Sequence, residues 1–291
     1  GKFTMSEKSE KTPVAEVETT GHRWDGIEEL NTPLPRWWLW TFYATIFWGL
    51  VYVVAYPAVP FKESSSKGFL GWSTRANLAK ELKHQTKKYA HLDQILITTD
   101  LGKLLNDREL VQYALARGSS VFISHCSQCH GAGAGGAFGY PNLLDDDWLW
   151  GGSIENIAYT INHGIRNTTD PDSQISEMPA FDQTLKHDEI VTLAQYVISL
   201  AKLENAGEKT PENELFLENC SGCHSENATG DETLGAPDLT DAIWLYGSDI
   251  VSVKKTISSG RYGVMPAWGQ RLSPADLRSV SVYVHGLGGG E

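Results

Sequence analysis

The sequence predicts a mainly α-helical protein in which a single N-terminal transmembrane helix precedes two tandem all-α domains. Three observations carry this prediction: an uncharged apolar stretch near the N-terminus, two aligned copies of one sequence module, and four cysteines confined to two Cys-x-x-Cys-His motifs. The 291 residues, 41% of them hydrophobic and 21% charged, suit a folded chain of this size. The formal net charge of −12 argues against nucleic acid as a partner.

Residues 1–36 are polar and are predicted to form an N-terminal tail, most of it flexible. The end of this tail carries apolar side chains that could dock on a partner. They are Trp24, Ile27, Leu30 and Leu34. Prolines that follow these residues should stop any helix before the next segment begins.

The transmembrane anchor is predicted over residues 37–60. No charged residue occurs from Trp37 to Phe61, and about 20 helical residues rise roughly 30 Å, the thickness of a hydrocarbon core. Tryptophans at one end and tyrosines near the other match the aromatic pattern of membrane interfaces. A buried core helix and a cleaved signal peptide are the alternatives, but the stretch is long and lacks a small-residue cleavage site. Residues 61–106 are predicted to be a linker with helical character.

The remainder of the chain contains one module twice, over residues 107–205 and 211–291. Residues 141–164 align without a gap with residues 237–260. Segments that begin Met-Pro-Ala align further on, with a nine-residue insertion in the first copy. Helical periodicity in the modules predicts all-α domains. In the second copy, Ser273-Pro274-Ala275-Asp276 predicts the start of a helix, with a capping serine and proline as the first helical residue. Each copy is small for a self-sufficient hydrophobic core, so a bound group is expected at its centre.

The cysteine motifs identify that group. On a helical turn, cysteines three residues apart point the same way, so both thiols can add to the vinyl groups at one edge of a haem while the next histidine faces the iron. The motifs therefore predict two covalently bound c-type haems in cytochrome c-like domains. Haem 1 is expected on Cys126 and Cys129 with His130 as iron ligand, and haem 2 on Cys220 and Cys223 with His224.

Two other uses of the cysteines are less consistent with the motifs. A zinc site would not require a histidine directly after both cysteine pairs. A thiol–disulfide site is expected in a thioredoxin-like βαβ context, which the sequence does not indicate.

Methionine sulfur is predicted to be the second axial ligand of each iron. Of the three methionines, Met178 and Met265 occupy the same place in the two copies, and each begins Met-Pro-Ala. Their sequence separation suggests pairing within each module, so that His130 pairs with Met178 and His224 with Met265. Because histidine and methionine together occupy both axial positions, the chain is predicted to transfer electrons and to perform no oxygen chemistry.

Haem chemistry also predicts the orientation of the chain. Covalent c-type haem is attached outside the cytoplasm, which places the haem domains in the periplasm and the N-terminus in the cytoplasm of a bacterium, with one pass through the inner membrane. Basic residues are more frequent after the anchor than before it, which argues for the opposite orientation. Long domains cross membranes largely regardless of their charge, so the haem argument prevails.

From about Thr20 onward the chain resembles the dihaem subunits of cbb3-type cytochrome c oxidases, the CcoP or FixP family. The resemblance is carried by "GHRWDGIEELNTPLPRWW" before the anchor, by "DDDWLWGG" and its partner "DAIWLYGS", and by the two haem motifs. It implies a subunit that accepts electrons from a donor cytochrome c. The electrons would pass to a monohaem cytochrome subunit and then to the haem-copper catalytic subunit. The resemblance also favours exchange of the methionines, with Met265 on haem 1 and Met178 on haem 2.

Two other functions remain open from the residues alone. One is an anchored dihaem cytochrome that serves another reductase. The other is a dihaem peroxidase, which needs one iron with an open position and is disfavoured by the matched Met-Pro-Ala segments.

Overall fold

The computed structural model describes residues 18–202 and 210–290; the first 17 residues of the predicted tail lie outside these ranges. The described residues form two strands, β1 (Thr19–Trp24) and β2 (Ile27–Leu30), and eleven helices. The helices are α1 (Arg36–Ala55), α2 (Thr74–Thr98), α3 (Leu101–Leu104), α4 (Arg108–His125), α5 (Ser127–His130), α6 (Ile154–His163), α7 (His187–Leu200), α8 (Pro211–Asn219), α9 (Ser221–His224), α10 (Ile250–Ser259) and α11 (Pro274–His285). The predicted fold class is confirmed: the structure is mostly helical, with one N-terminal helix that could span a membrane.

The end of the predicted tail is a β-hairpin, which the sequence analysis did not predict. Strands β1 and β2 pair antiparallel around a turn at Asp25 and Gly26. Both turn residues have positive φ, 48° and 87°, as a type I′ turn requires. The Asp-Gly pair is a recognised hairpin signal, and it stands in the sequence between apolar residues.

Helix α1 is the one helix among the described residues that is long and apolar enough to cross a membrane, with a mean hydropathy of 1.5. None of its residues is buried in the described structure. It ends at Ala55 rather than at residue 60, because Tyr56 precedes Pro57 and is extended, with φ −116° and ψ 161°. The N–H groups of Phe69 and Leu70 donate to carbonyls of the last helical turn, which would otherwise lack partners.

Equivalent capping residues start the equivalent helices of the two sequence copies. Ser153 accepts a hydrogen bond from the N–H of Asn156 at the start of α6, and Asp249 accepts from Val251 and Ser252 at the start of α10. The predicted start of α11 is confirmed, since the Ser273 side chain caps the helix and proline is its first residue.

Helices pack across the boundary between the two sequence copies. Helix α4, which leads into the first cysteine motif, packs against α11 and shares its core with α6. Helix α8, which leads into the second motif, packs against α7, and α7 packs against α10. The helix that leads into each motif thus packs against the last helix of the opposite copy. The copies are contiguous in sequence, but their helices are interleaved in space.

Each interleaved group has its own hydrophobic core. One core contains buried residues of α4, α6 and α11, including Phe122, Ile157 and Val280. The other contains buried residues of α7, α8 and α10, including Leu193, Phe216 and Ile257. A further cluster packs the end of α2 and helix α3 against α4, α6 and α11.

Candidate haem-binding sites

Each Cys-x-x-Cys-His motif forms one tight turn at the end of a longer helix. The N–H of His130 donates to the Cys126 carbonyl at 3.0 Å, and the N–H of His224 donates to the Cys220 carbonyl at 3.0 Å. The first cysteine of each pair is half-buried and the second is exposed. Burial raises the pKa of Cys126 and Cys220 to about 11, so both are neutral thiols near pH 7. The turn places two thiols and an imidazole together, as haem attachment requires.

Both motif histidines are oriented by an equivalent backbone carbonyl. The Nδ1 atom of His130 lies 3.1 Å from the Pro141 oxygen, and that of His224 lies 3.0 Å from the Pro237 oxygen. A carbonyl only accepts, so Nδ1 carries the proton and Nε2 keeps the lone pair that a metal needs. Burial lowers the pKa of both histidines, an effect that the carbonyl partly opposes. Both rings therefore favour the neutral form, which can ligate iron.

A cavity of about 610 Å³ adjoins the second motif, within the roughly 300–1,000 Å³ of small-molecule sites. Three of the predicted haem 2 residues, Cys220, Cys223 and His224, line it, and so does Met178 of the first copy. Most other lining residues are apolar or aromatic; they include Phe181, Val197, Phe216, Leu239, Trp244 and Ile257. Two thiols, a neutral imidazole and a thioether around an apolar cavity are the donor set that a c-type haem takes.

The first motif is associated with the methionine of the second copy. Cys126 and Met265 both pack against the core of α4, α6 and α11. Trp148 and Trp268 pack against the same core, and the Trp148 indole N–H donates to the Gly289 carbonyl. The structure thus groups Met265 with Cys126, and Met178 with the Cys220 motif. In both cases the methionine comes from the opposite sequence copy.

Two equivalent backbone pairings hold each methionine segment against the opposite copy. Met265 and Ile165 exchange two hydrogen bonds of 2.9 and 3.0 Å between their N–H and carbonyl groups. Met178 pairs in the equivalent way with Arg261 as an isolated antiparallel bridge. The residue directly after each Met-Pro-Ala segment also donates to the last turn of a helix in the opposite copy. The N–H of Trp268 donates to the Ile161 carbonyl, and the N–H of Phe181 donates to the Ile257 carbonyl.

Two glycines allow these pairings. Gly164 and Gly260 end α6 and α10 with φ of 72° and 68°. A Cβ added to Gly164 would stand 2.3 Å from the Met265 carbonyl oxygen, and one on Gly260 would stand 2.2 Å from that of Met178. The methionine segments can therefore approach these helices only where no side chain is present.

Carboxylates from equivalent loops of the two copies face one another beside the cavity. The cavity is lined by Asp145, Asp147 and Asp238. Asp241 lies close enough to raise the pKa of Asp147 by charge repulsion. Burial raises the pKa of Asp147 to about 6, and repulsion from Asp241 and Asp145 adds to the effect. The charge of Asp147 therefore changes close to neutral pH. The sequence analysis assigned these aspartates no separate role, although "DDDW" aligns with "DAIW".

Comparison with known proteins agrees with this geometry. The model of the "N-terminal domain of cytochrome oxidase-cbb3, FixP" matches residues 16–63, and that of "Cytochrome C oxidase, cbb3-type, subunit III" matches residues 114–197 and 208–284. The CcoP subunit of Cereibacter sphaeroides is 50% identical over 99% of this chain and 100% of its own length. A CcoP of Rhodobacter capsulatus and a FixP of a Bradyrhizobium species are each 48% identical, with the same coverage.

The chain belongs to the cbb3-type cytochrome c oxidase subunit III family. The resemblance drawn from the sequence is thereby confirmed, over almost the whole chain. Membership implies that haem c is bound and that the chain belongs to a membrane-bound oxidase. Helix α1 lies within the residues matched by the N-terminal FixP model and fits a membrane anchor.

Replacing Gly260 should loosen the segment that carries Met178. We expect Gly260→Ala to lower the free energy of unfolding by about 1–3 kcal/mol, because the new Cβ meets backbone and the positive φ is strained. Thermal unfolding of the full chain in detergent, followed by circular dichroism, measures this loss. Gly133→Ala is the matched control, since an added Cβ there meets nothing within 4 Å. Equal stability of the two variants would contradict the prediction.

Proposed function

We propose that the chain carries electrons into a cbb3-type haem-copper oxidase through two c-type haems. It accepts them from a donor cytochrome c and passes them toward the oxygen-reducing subunit, by way of a monohaem cytochrome subunit. The observation that carries this proposal is that each cysteine motif lies with a methionine, so that a histidine and a methionine of this chain would ligate each iron. Iron without an open position transfers electrons and leaves oxygen chemistry to another subunit.

The ligand sets follow from the residues that lie together. Haem 1 is held by Cys126 and Cys129, with His130 and Met265 on its iron. Haem 2 is held by Cys220 and Cys223, with His224 and Met178 on its iron. Support comes from the shared cavity at the second motif and from the core cluster that joins Met265 to Cys126.

The bound haems supply one-electron redox chemistry, and the protein tunes it. The Pro141 and Pro237 carbonyls hold the histidines in the ligating tautomer. Apolar residues such as Phe181 and Trp244 exclude water from the second site, which favours reduced iron because that form carries less positive charge. Soft thioether sulfur favours the same form.

Acidic side chains outnumber basic ones from Tyr89 onward. Such a surface would attract a basic donor cytochrome and speed its encounter with the haem domains.

The haem domains lie in the periplasm and the N-terminus in the cytoplasm of the inner membrane. Support comes from α1 as the single candidate span of the described residues and from the attachment of c-type haem outside the cytoplasm. Protease added to spheroplasts should digest the haem domains without lysis, because they face the added enzyme. Protection of these domains until the membrane is broken would refute this orientation.

Methionine exchange predicts which variant alters which haem. In a chain that keeps only haem 1, made by Cys220→Ser with Cys223→Ser, Met265→Leu should abolish the absorption of the ferric iron–sulfur bond and lower the haem 1 potential, because the soft ligand is lost. Met178→Leu in the same background is the matched control and should leave that absorption intact. The opposite result would establish pairing within each copy.

Association with the oxidase tests the function itself. Purification of the full chain from membranes in mild detergent should yield a haem-copper oxidase that reduces oxygen, with two c-type haems on this polypeptide in a pyridine haemochrome assay. Recovery with an unrelated reductase would contradict the proposal. Peroxide turnover by the isolated chain would also contradict it, because that activity needs an open iron position.

A further inference from the structure

Two arginines line the cavity of the second site without a carboxylate partner. Arg166 and Arg261 are half-buried, and neither forms an ion pair with any side chain in residues 18–202 and 210–290. Burial lowers the pKa of Arg166, and the negative charge of nearby Glu177 only partly opposes this effect. A half-buried guanidinium without an ion-paired carboxylate is costly, which indicates that these two groups bind an anion in the cavity.

The two guanidinium groups are held in place by neutral partners. Arg166 donates to the carbonyls of Gly263 and Ser176. Arg261 donates twice to the Thr256 hydroxyl and lies 4.0 Å from the centre of the Tyr246 ring. These contacts use some of the five N–H donors of each group and satisfy none of the charge.

The backbone of Arg166 is strained in a way that suggests a functional role. Its φ is +50°, a region that side chains other than glycine rarely adopt. The N–H of Arg166 donates to the Gln174 carbonyl at 2.7 Å, which helps to fix this conformation. The segment of the first copy that contains the nine-residue insertion therefore fixes the backbone of Arg166. The side chain of Arg166 reaches the cavity of the second motif.

We infer that Arg166 and Arg261 bind the two propionate groups of haem 2. The inference rests on the proposed presence of that haem. A haem has two carboxylates away from its vinyl edge, and a guanidinium binds a carboxylate through two parallel hydrogen bonds. Two unpaired cations match two propionates in number and in charge. Four carboxylates also line the cavity, and none of them forms an ion pair with either arginine: Asp145, Asp147, Glu177 and Asp238.

The arrangement is specific to the second site. In the aligned copies, Arg261 corresponds to Ile165, which pairs with Met265, and Arg166 corresponds to Tyr262. The first site therefore has isoleucine where the second has arginine. Haem 1 in the same polypeptide becomes an internal reference for any change at haem 2.

The test uses the full haem-loaded chain in detergent and the variants Arg166→Gln, Arg261→Gln and their combination. Resonance Raman spectra should show propionate bending modes of one haem shifting to lower frequency, because hydrogen bonds to the carboxylates are lost. In a redox titration of the double variant, the equilibrium constant for reduction of haem 2 should fall about tenfold, which is about 59 mV for one electron. The loss of positive charge beside the haem is the reason. The haem 1 component should stay unchanged.

Arg166→Lys and Arg261→Lys should restore most of the potential but only part of the Raman shift, because lysine keeps the charge and loses the paired hydrogen bonds. Arg108→Gln removes an exposed charge from α4 and should change neither readout. Unchanged propionate modes in both single variants, with two haems present by the pyridine haemochrome assay, would overturn the inference. Fewer than two haems in the unsubstituted chain would refute the proposed function instead.

Discussion

Two reciprocal backbone pairings, Met265 with Ile165 and Met178 with Arg261, are the constraint on which the haem region depends. Each pairing joins the Met-Pro-Ala segment of one copy to the helix end of the other. In the sites proposed above, the cysteines and histidine come from one copy, and the methionine and the last helix come from the other. A domain boundary drawn along the sequence therefore separates helices that pack against each other.

The same exchange explains how small modules form stable domains. A copy of this length buries too little apolar surface by itself, but interleaving gives each cysteine helix a partner helix from the other copy. The Gly164 and Gly260 positions permit the close approach that this packing needs. The proposed haem 2 would fill the remaining apolar volume at the second site.

The two sites are equivalent in backbone but differ in charge. Carboxylates such as Asp147 and the guanidinium groups of Arg166 and Arg261 surround the second cavity. These opposite charges would shift the potential of the proposed haem 2 in opposite directions, and their balance depends on pH because burial raises the pKa of Asp147 to about 6. The duplicated fold thus gives the two proposed haem sites different electrostatic environments.

The sequence alone predicted the anchor, the two haem motifs, the axial methionines and the start of α11. These features depend on local signals: an uncharged run of sufficient length, a fixed cysteine spacing, and a capping serine before proline. The hairpin at Asp25 and Gly26 also has a local signal, the Asp-Gly pair between Trp24 and Ile27. The aspartates and arginines that line the second cavity have no such signal. Their role depends on which groups lie near them in space, and the local sequence does not determine that.

Which methionine lies beside which cysteine motif is a matter for the tertiary structure. The two copies present nearly the same segments, so Met178 and Met265 suit either partner by spacing and chemistry. Sequence separation alone favoured the pairing within each copy. Packing of α11 on α4 and of α7 on α8 places each methionine beside the opposite motif. The local pattern determines that a thioether is available; the long-range packing of helices determines where it lies.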